Sequence, residues 1–212
     1  VTTLQILSML SGKNLSQLGA GSTEAVHLIS EASKLAFADR NKYLADPDFI
    51  NVPTGKLLDP KYLARRAKKI NQEKAMTRAR PGKLEPDSAY NFAPDSSEKG
   101  LSTSHMSIVD KDGNVVSMTT TIENAFGSRL MVRGFLLNNE LTDFSFKPIN
   151  NGKLVANAAW PGKRPRSSMA PMIVFDSQGK PVLVLGSPGG SGIIGFVAKT
   201  IISILDWKMN AQ

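Results

Sequence analysis

Apolar residues recur at helical spacing through the first half of this chain and alternate with polar ones through the second. Leu4, Leu7 and Leu10 predict a short first helix ended by Ser11-Gly12. Gly19 to Ser22 reads as a turn, with Ser22 or Thr23 placed to cap the next helix. Ala25, Leu28, Ile29, Ala32, Leu35 and Ala36 then mark one face of a long helix reaching Leu44. Asp46-Pro47-Asp48 ends it, because proline disfavours helix in the residue before it. Asp59-Pro60 reads as an N-cap with proline at the first helical position, and Leu63, Ala67 and Ile70 form that helix's narrow apolar stripe. From Thr77 to Gly100, Pro81, Pro86 and Pro94 among scattered Ser, Asp and Gly predict an exposed, mobile linker.

After the linker the period becomes two. His105–Val109 and Val115–Thr121 flank Asp112-Gly113-Asn114, a hairpin signal. Met172–Phe175 and Val182–Leu185 flank Ser177-Gln178-Gly179, a second one. Gly186-Ser187-Pro188-Gly189-Gly190 leads into a helix over Ile193–Leu205 that is apolar nearly all round, which predicts a central position. Helices first, hairpins later and a buried helix at the end predict an α+β fold with helices packed on strands.

Composition narrows the class. At 212 residues, 41% hydrophobic and 21% charged, the chain suits one substantial core or two small ones. No stretch reaches the ~18 uncharged apolar residues of a membrane span. Ile193 to Trp207 comes nearest, but it is too short and carries Lys199 and Asp206. The absence of cysteine excludes disulfides, thiol catalysis and Cys-based zinc sites, and two histidines, His27 and His105, argue against a His-rich metal site. The start at Val1 without Met and the end at Asn210-Ala211-Gln212 read as cuts in a longer protein, so a missing signal peptide says nothing about location.

The net charge of +8 is concentrated: between residues 61 and 83, nine basic side chains face one acid, Glu73. A basic helix over Tyr62–Lys83 could serve nucleic acid or an anionic surface, which gives a binding-module alternative. The competing account is a solvated helix face. It is favoured, because Tyr62 is the segment's one aromatic residue for base stacking.

Chemistry concentrates in two places. Thr103, in Ser102-Thr103-Ser104-His105, stands between the linker and an alternating strand, where a self-cleaving threonine enzyme needs its new N-terminus. The alternative is an ordinary hydroxyl opening a strand. Gly189 and Gly190 offer backbone N–H groups without side chains, the means to hold an oxyanion, or else a plain strand-to-helix turn. No Gly-Lys-Ser/Thr follows them, which disfavours a nucleotide loop, and no Gly-x-Ser-x-Gly elbow supports a triad through His105.

These segments, with those between them, resemble the gamma-glutamyltranspeptidase (gamma-glutamyltransferase) family of N-terminal nucleophile (Ntn) hydrolases. The resemblance runs in order from Gly21-Ser22-Thr23-Glu24-Ala25-Val26-His27 and Leu35-Ala36-Phe37-Ala38-Asp39-Arg40 through Thr103-Ser104-His105. It continues with Phe126-Gly127-Ser128, Leu137-Asn138-Asn139-Glu140, Asp143-Phe144, Arg166-Ser167-Ser168-Met169 and the Ser-Pro-Gly-Gly turn. It implies residues 1–102 as the late part of a large subunit and 103–212 as the early part of a small one. The implied architecture is a partial four-layer αββα sandwich, truncated at both ends.

The resemblance also implies roles. Self-cleavage at Ser102–Thr103 would free Thr103 as nucleophile and yield a large/small subunit heterodimer. Thr121 would hydrogen-bond the nucleophile, and Gly189 and Gly190 would hold the oxyanion. Glu140, Asp143, Ser167, Ser168 and the residue at Glu123 would grip the α-amino and α-carboxylate groups of a small γ-glutamyl donor such as glutathione. His105 would be structural, no metal or other cofactor is called for, neither nucleic acid nor a membrane span is expected, and the location would be periplasmic or secreted. A glutaryl-type (cephalosporin) acylase of the same family is the close alternative, and a fragment inactive by itself is another. The chain departs from the family at Glu123, commonly Asn, and at Gly192, often Arg. Its Lys147–Pro161 stretch is shorter than the family's lid loop and lacks that loop's tyrosine. A carboxylate at Glu123 would repel a donor carboxylate unless turned away or paired with Arg129 or Arg133.

Overall fold

In the computed structural model, which describes residues 1–85, 90–96 and 102–210, the change of sequence period marks the change from helix to strand. Helices α1 (Thr2–Leu10), α2 (Thr23–Tyr43), α3 (Thr54–Leu57) and α4 (Pro60–Ala67) precede strands β1 (Ser104–Val109), β2 (Val115–Thr120), β3 (Met131–Val132) and β4 (Phe135–Leu136). Then come β5 (Ile149–Asn150), β6 (Lys153–Leu154), β7 (Met172–Phe175), β8 (Pro181–Leu185) and helix α5 (Ile193–Leu205). Consecutive strands pair antiparallel as hairpins β1–β2, β3–β4, β5–β6 and β7–β8. The chain forms two compact units: Val1–Ser97 with Phe144–Arg166 and Ala198–Gln212, and Glu98–Asp143 with Ser167–Val197.

In the first unit α1 packs on both α2 and α4. Ser22 caps α2 by accepting the Ala25 N–H at 3.2 Å, and Asp59 caps α4 by accepting the Tyr62 N–H at 2.8 Å. The buried face of α1 differs from the predicted one. Ile6, Met9 and Leu10 are buried beside Thr2, Thr3 and Gln5, while Leu4 is exposed. Contact with two helices covers two adjoining faces, and Gln5 is drawn inward by a polar network. Its centre is Asp39, which accepts from Gln5 Nε2 (3.2 Å), Tyr62 Oη (2.8 Å) and the Gly82 N–H (2.7 Å), and pairs with Arg66 at 3.0 Å. Only glycine fits at position 82, since a Cβ there would lie 2.2 Å from Tyr62 Oη.

These contacts revise two expectations. The basic segment is helical only to Ala67, and Arg66 is buried in an ion pair rather than solvated. The stretch read as an exposed linker buries Leu84, Tyr90, Ala93 and Asp95, because Asp39 and neighbouring strands hold it; its residues 86–89 and 97–101 lie outside the described residues. The short β5–β6 hairpin has too few residues to show a period. Its Asn151-Gly152 turn, at φ 51° and 72°, was the signal that could have found it.

In the second unit the predicted Asp112-Gly113-Asn114 turn joins β1 to β2, in a register that sets Val109 opposite Val115 and Ser104 opposite Thr120. Strand β8 packs against both, and Ser117 Oγ donates to the Leu185 carbonyl at 2.9 Å. Helix α5 is divided between the units after Val197; it buries Ile193, Ile194, Val197, Ala198, Ile201 and Ile202 but leaves Phe196 and Leu205 exposed, so it is covered on one side rather than all round.

Candidate active site

The hairpin register fixes the first pair of residues. Continuing outward from Ser104 and Thr120 brings Thr103 beside Thr121, and Thr103 Oγ1 donates to Thr121 Oγ1 at 3.4 Å. Thr121 Oγ1 also accepts the Glu123 N–H at 2.8 Å, turning the chain sharply where Glu123 takes a positive φ of 70°. Asn139 then closes the turn. Its Nδ2 donates to Glu123 Oε2 and its Oδ1 accepts the Asn124 N–H at 2.9 Å. Glu123 is therefore held by Asn139, not by Arg129 or Arg133. Asn139 lies in the Leu137–Glu140 motif, yet sequence reasoning assigned it no role.

One residue further on, a single 3-10 turn over Glu140–Asp143 presents two more carboxylates. Glu140 Oε1 is buried and finds no hydrogen-bond partner among the described residues. Burial first, then the charges of Asp143 and Glu123, push the Glu140 carboxyl above the usual carboxylate range. Ser167 Oγ accepts the Met169 N–H at 3.1 Å, which orients the Ser167-Ser168 pair.

The turn after β8 supplies the remaining groups. Gly186 packs so closely on the His105 ring that a Cβ there would lie 2.1 Å from Cε1. That ring bonds Thr119 Oγ1 (2.8 Å) and Ser107 Oγ (3.0 Å) through its two nitrogens, so it serves the strands and not a triad. Gly189 and Gly190 follow at φ 125° and 54°, and both donate their N–H groups to the carbonyl oxygen of Ser102, at 3.3 and 3.2 Å. Thr103 itself has φ 123°, a conformation that costs a β-branched residue about 1–3 kcal/mol.

A pocket with about 360 Å³ of empty volume gathers these groups. Ser102, Thr103, Thr121, Glu123, Glu140, Asp143, Ser167, Ser168 and Gly190 line it, with Met169, Ser191 and Ile193, to which the sequence assigned no role in a site. Gly189 adjoins it through its bond to Ser102. The arrangement places a hydroxyl next to a carbonyl held by two N–H donors, and gathers three carboxylates and two serines in one pocket. The donors stabilise negative charge on the Ser102 oxygen, and the carboxylates attract a cation. Among the described residues no group of three or more His, Asp or Glu side chains is arranged to hold a metal ion.

A family profile described as Gamma-glutamyltranspeptidase matches residues 1–212. The chain is 43% identical over 216 residues to the glutathione hydrolase proenzyme of Escherichia coli (strain K12), a match covering 98% of this chain and 35% of that protein. It is 41% identical over 221 residues to the glutathione hydrolase proenzyme of Pseudomonas sp. (strain A14), covering 100% of this chain and 36% of that protein. The solved cephalosporin acylase from Bacillus halodurans superposes on the whole chain and on 34% of its own length, with a TM-score of 0.79 and 27% identity. The chain thus spans about a third of the length of the curated relatives it matches.

Proposed function

The chain belongs to the gamma-glutamyltranspeptidase family, and from that premise we propose that it carries the self-cleaving, acyl-transferring centre of an enzyme acting on γ-glutamyl amides. The observation that carries this reading is the pair of glycine N–H groups on the Ser102 carbonyl. In the first reaction Thr103 Oγ1 adds to the Ser102 carbonyl carbon, and the charge on its oxygen is met by Gly189 and Gly190. The Ser102–Thr103 C–N bond breaks, the nitrogen takes up the hydroxyl's proton, and Ser102 becomes esterified on Thr103. Water hydrolyses the ester, leaving a Ser102 carboxylate and a free Thr103 α-amine and hydroxyl. The strained φ of Thr103 supports this course, since breaking the bond releases the strain.

In turnover the α-amine, with an ordinary pKa of about 8, takes the Thr103 proton as the hydroxyl attacks the donor's γ-carbonyl. The amine of the donor leaves with that proton, and the γ-glutamyl ester passes to water or to an acceptor amine. Glu140 and Asp143 suit the donor's ammonium, and Ser167 and Ser168 suit its carboxylate. The reading includes a four-layer αββα sandwich, a heterodimer of the cleaved pieces and export to a periplasmic or extracellular space. The likeness to the solved cephalosporin acylase supports a second reading, a glutaryl-type acylase, although a glutaryl donor keeps the carboxylate and lacks the ammonium that the pocket's three carboxylates would attract.

The test is release of p-nitroaniline by the whole protein from γ-glutamyl and glutaryl anilides, against Thr103→Ala. Release from the γ-glutamyl anilide, abolished by the substitution, is expected. Release from the glutaryl anilide alone would favour the acylase, and release from neither would overturn both readings.

A further inference from the structure

The first compact unit is built from residues on both sides of Thr103: Val1–Ser97 before it, Phe144–Arg166 and Ala198–Gln212 after it. Among the described residues, its most buried ion pair across that division is Asp95–Arg166, at 3.1 Å, with side-chain exposures of 0% and 7%. Arg166 also donates to the carbonyls of Arg40 (3.0 Å) and Leu44 (3.4 Å) at the end of α2. Asp95 accepts from Ser145 Oγ at 3.0 Å, while its N–H donates to the Asn41 carbonyl at 2.9 Å. Each of these side-chain bonds of Arg166 and Ser145 to Asp95 and α2 joins a residue after Thr103 to one before it.

We infer that Asp95 and Arg166 form a clasp that keeps the two products of Ser102–Thr103 cleavage together, the partner of each piece being the other. The inference rests on the cleavage reading above. Once the peptide bond is gone, the pieces are held only by non-covalent contacts, and this pair sits where water is excluded. Removing one member strands a buried charge, the costliest way to disturb such a contact. Arg164, paired with Asp46 at 2.8 Å and Asp48 at 2.6 Å, crosses the same division but is itself largely exposed, and exposed pairs contribute little.

The experiment compares processed and uncut whole protein, each with Arg166→Ala or Asp95→Ala, by size-exclusion chromatography, denaturing electrophoresis and circular dichroism. In the processed protein either substitution should speed separation of the two pieces by roughly 10²–10³-fold. In the uncut Thr103→Ala background the same substitutions should leave one folded body with its dichroism retained. Separation at the parent rate would overturn the clasp. So would an equal loss of dichroism in cut and uncut protein, which would make the pair a general fold contact. If self-cleavage fails, a single band reports that separately. The Thr103→Ala chain, nicked by a site-specific protease at a recognition sequence inserted within residues 97–101, then gives the same comparison.

Discussion

Gly190 donates its backbone N–H to the carbonyl oxygen of Ser102 at 3.2 Å, so the turn after β8 grips the bond that precedes Thr103. The same donors would meet a Thr103-bound substrate in turnover, which ties processing and catalysis to one structural element. A change in that turn should therefore slow both reactions together.

Gly189 and Gly190 differ as targets. A Cβ at Gly189 would lie 2.7 Å from the Phe196 ring, and its φ of 125° disfavours any other residue, so Gly189→Ala should slow processing and turnover by roughly 10²–10³-fold. Adding Phe196→Ala relieves the collision but not the backbone strain and should restore part of the rate. Time courses of cleavage and anilide release measure both. Near-normal rates for Gly189→Ala would remove this glycine from the oxyanion role.

Glu123, held by Asn139, carries a prediction about the donor. Replacing Glu123 by Asn removes a carboxylate from a pocket that already holds Glu140 and Asp143. Like charges ~4 Å apart cost on the order of 1–4 kcal/mol at effective dielectric constants of 80 to 20. Glu123→Asn should accordingly lower KM for a γ-glutamyl donor by about fivefold or more. An unchanged or raised KM would mean that Glu123 does not face the donor carboxylate.

Glu140 predicts a pH effect with a definite sign. Its carboxyl is raised by burial and by neighbouring acids, so the folded protein holds that proton above the pH at which the unfolded chain loses it. This group's contribution to stability therefore falls as pH rises from the ordinary carboxylate value through the raised one. On the proposed reading the ionised form of Glu140 holds the donor's ammonium, so KM should fall across the same window. Glu140→Gln should flatten both dependences, as read by denaturant titration and by KM against pH.

The Asp39–Arg66 pair carries a stability prediction. Arg66→Ala would leave Asp39 buried and lacking its cation, at a cost of about 3–5 kcal/mol. Burial, the largest influence on Asp39, already raises its pKa despite Arg66, which marks how unfavourable that charge is there. Urea denaturation should report the loss, and a change under about 1 kcal/mol would show that the site admits water.

Local signals were legible in the sequence, and long-range ones were not. Ser22 and Asp59 announce their helices because a cap acts on the next three residues. The Asp112–Asn114 turn fixes the register of β1 and β2, and counting outward from Val109 and Val115 reaches Thr103 and Thr121. Arg66 and Arg80 look alike in a basic stretch, but one is buried against Asp39 and the other offers that same arginine its carbonyl. No periodicity encodes that pairing, nor the meeting of Asp95 with Arg166 or of Asn139 with Glu123. Each joins segments far apart in sequence.

The most direct test of the central claim follows the whole protein over time by intact mass, with N-terminal sequencing of the products. Two pieces should appear whose masses add to the precursor plus one water. The smaller should begin Thr-Ser-His-Met, and Thr103→Ala should remain a single species. A wild-type protein that stays intact, or a Thr103→Ala variant cut at the same bond, would contradict the assignment of Thr103 as the nucleophile.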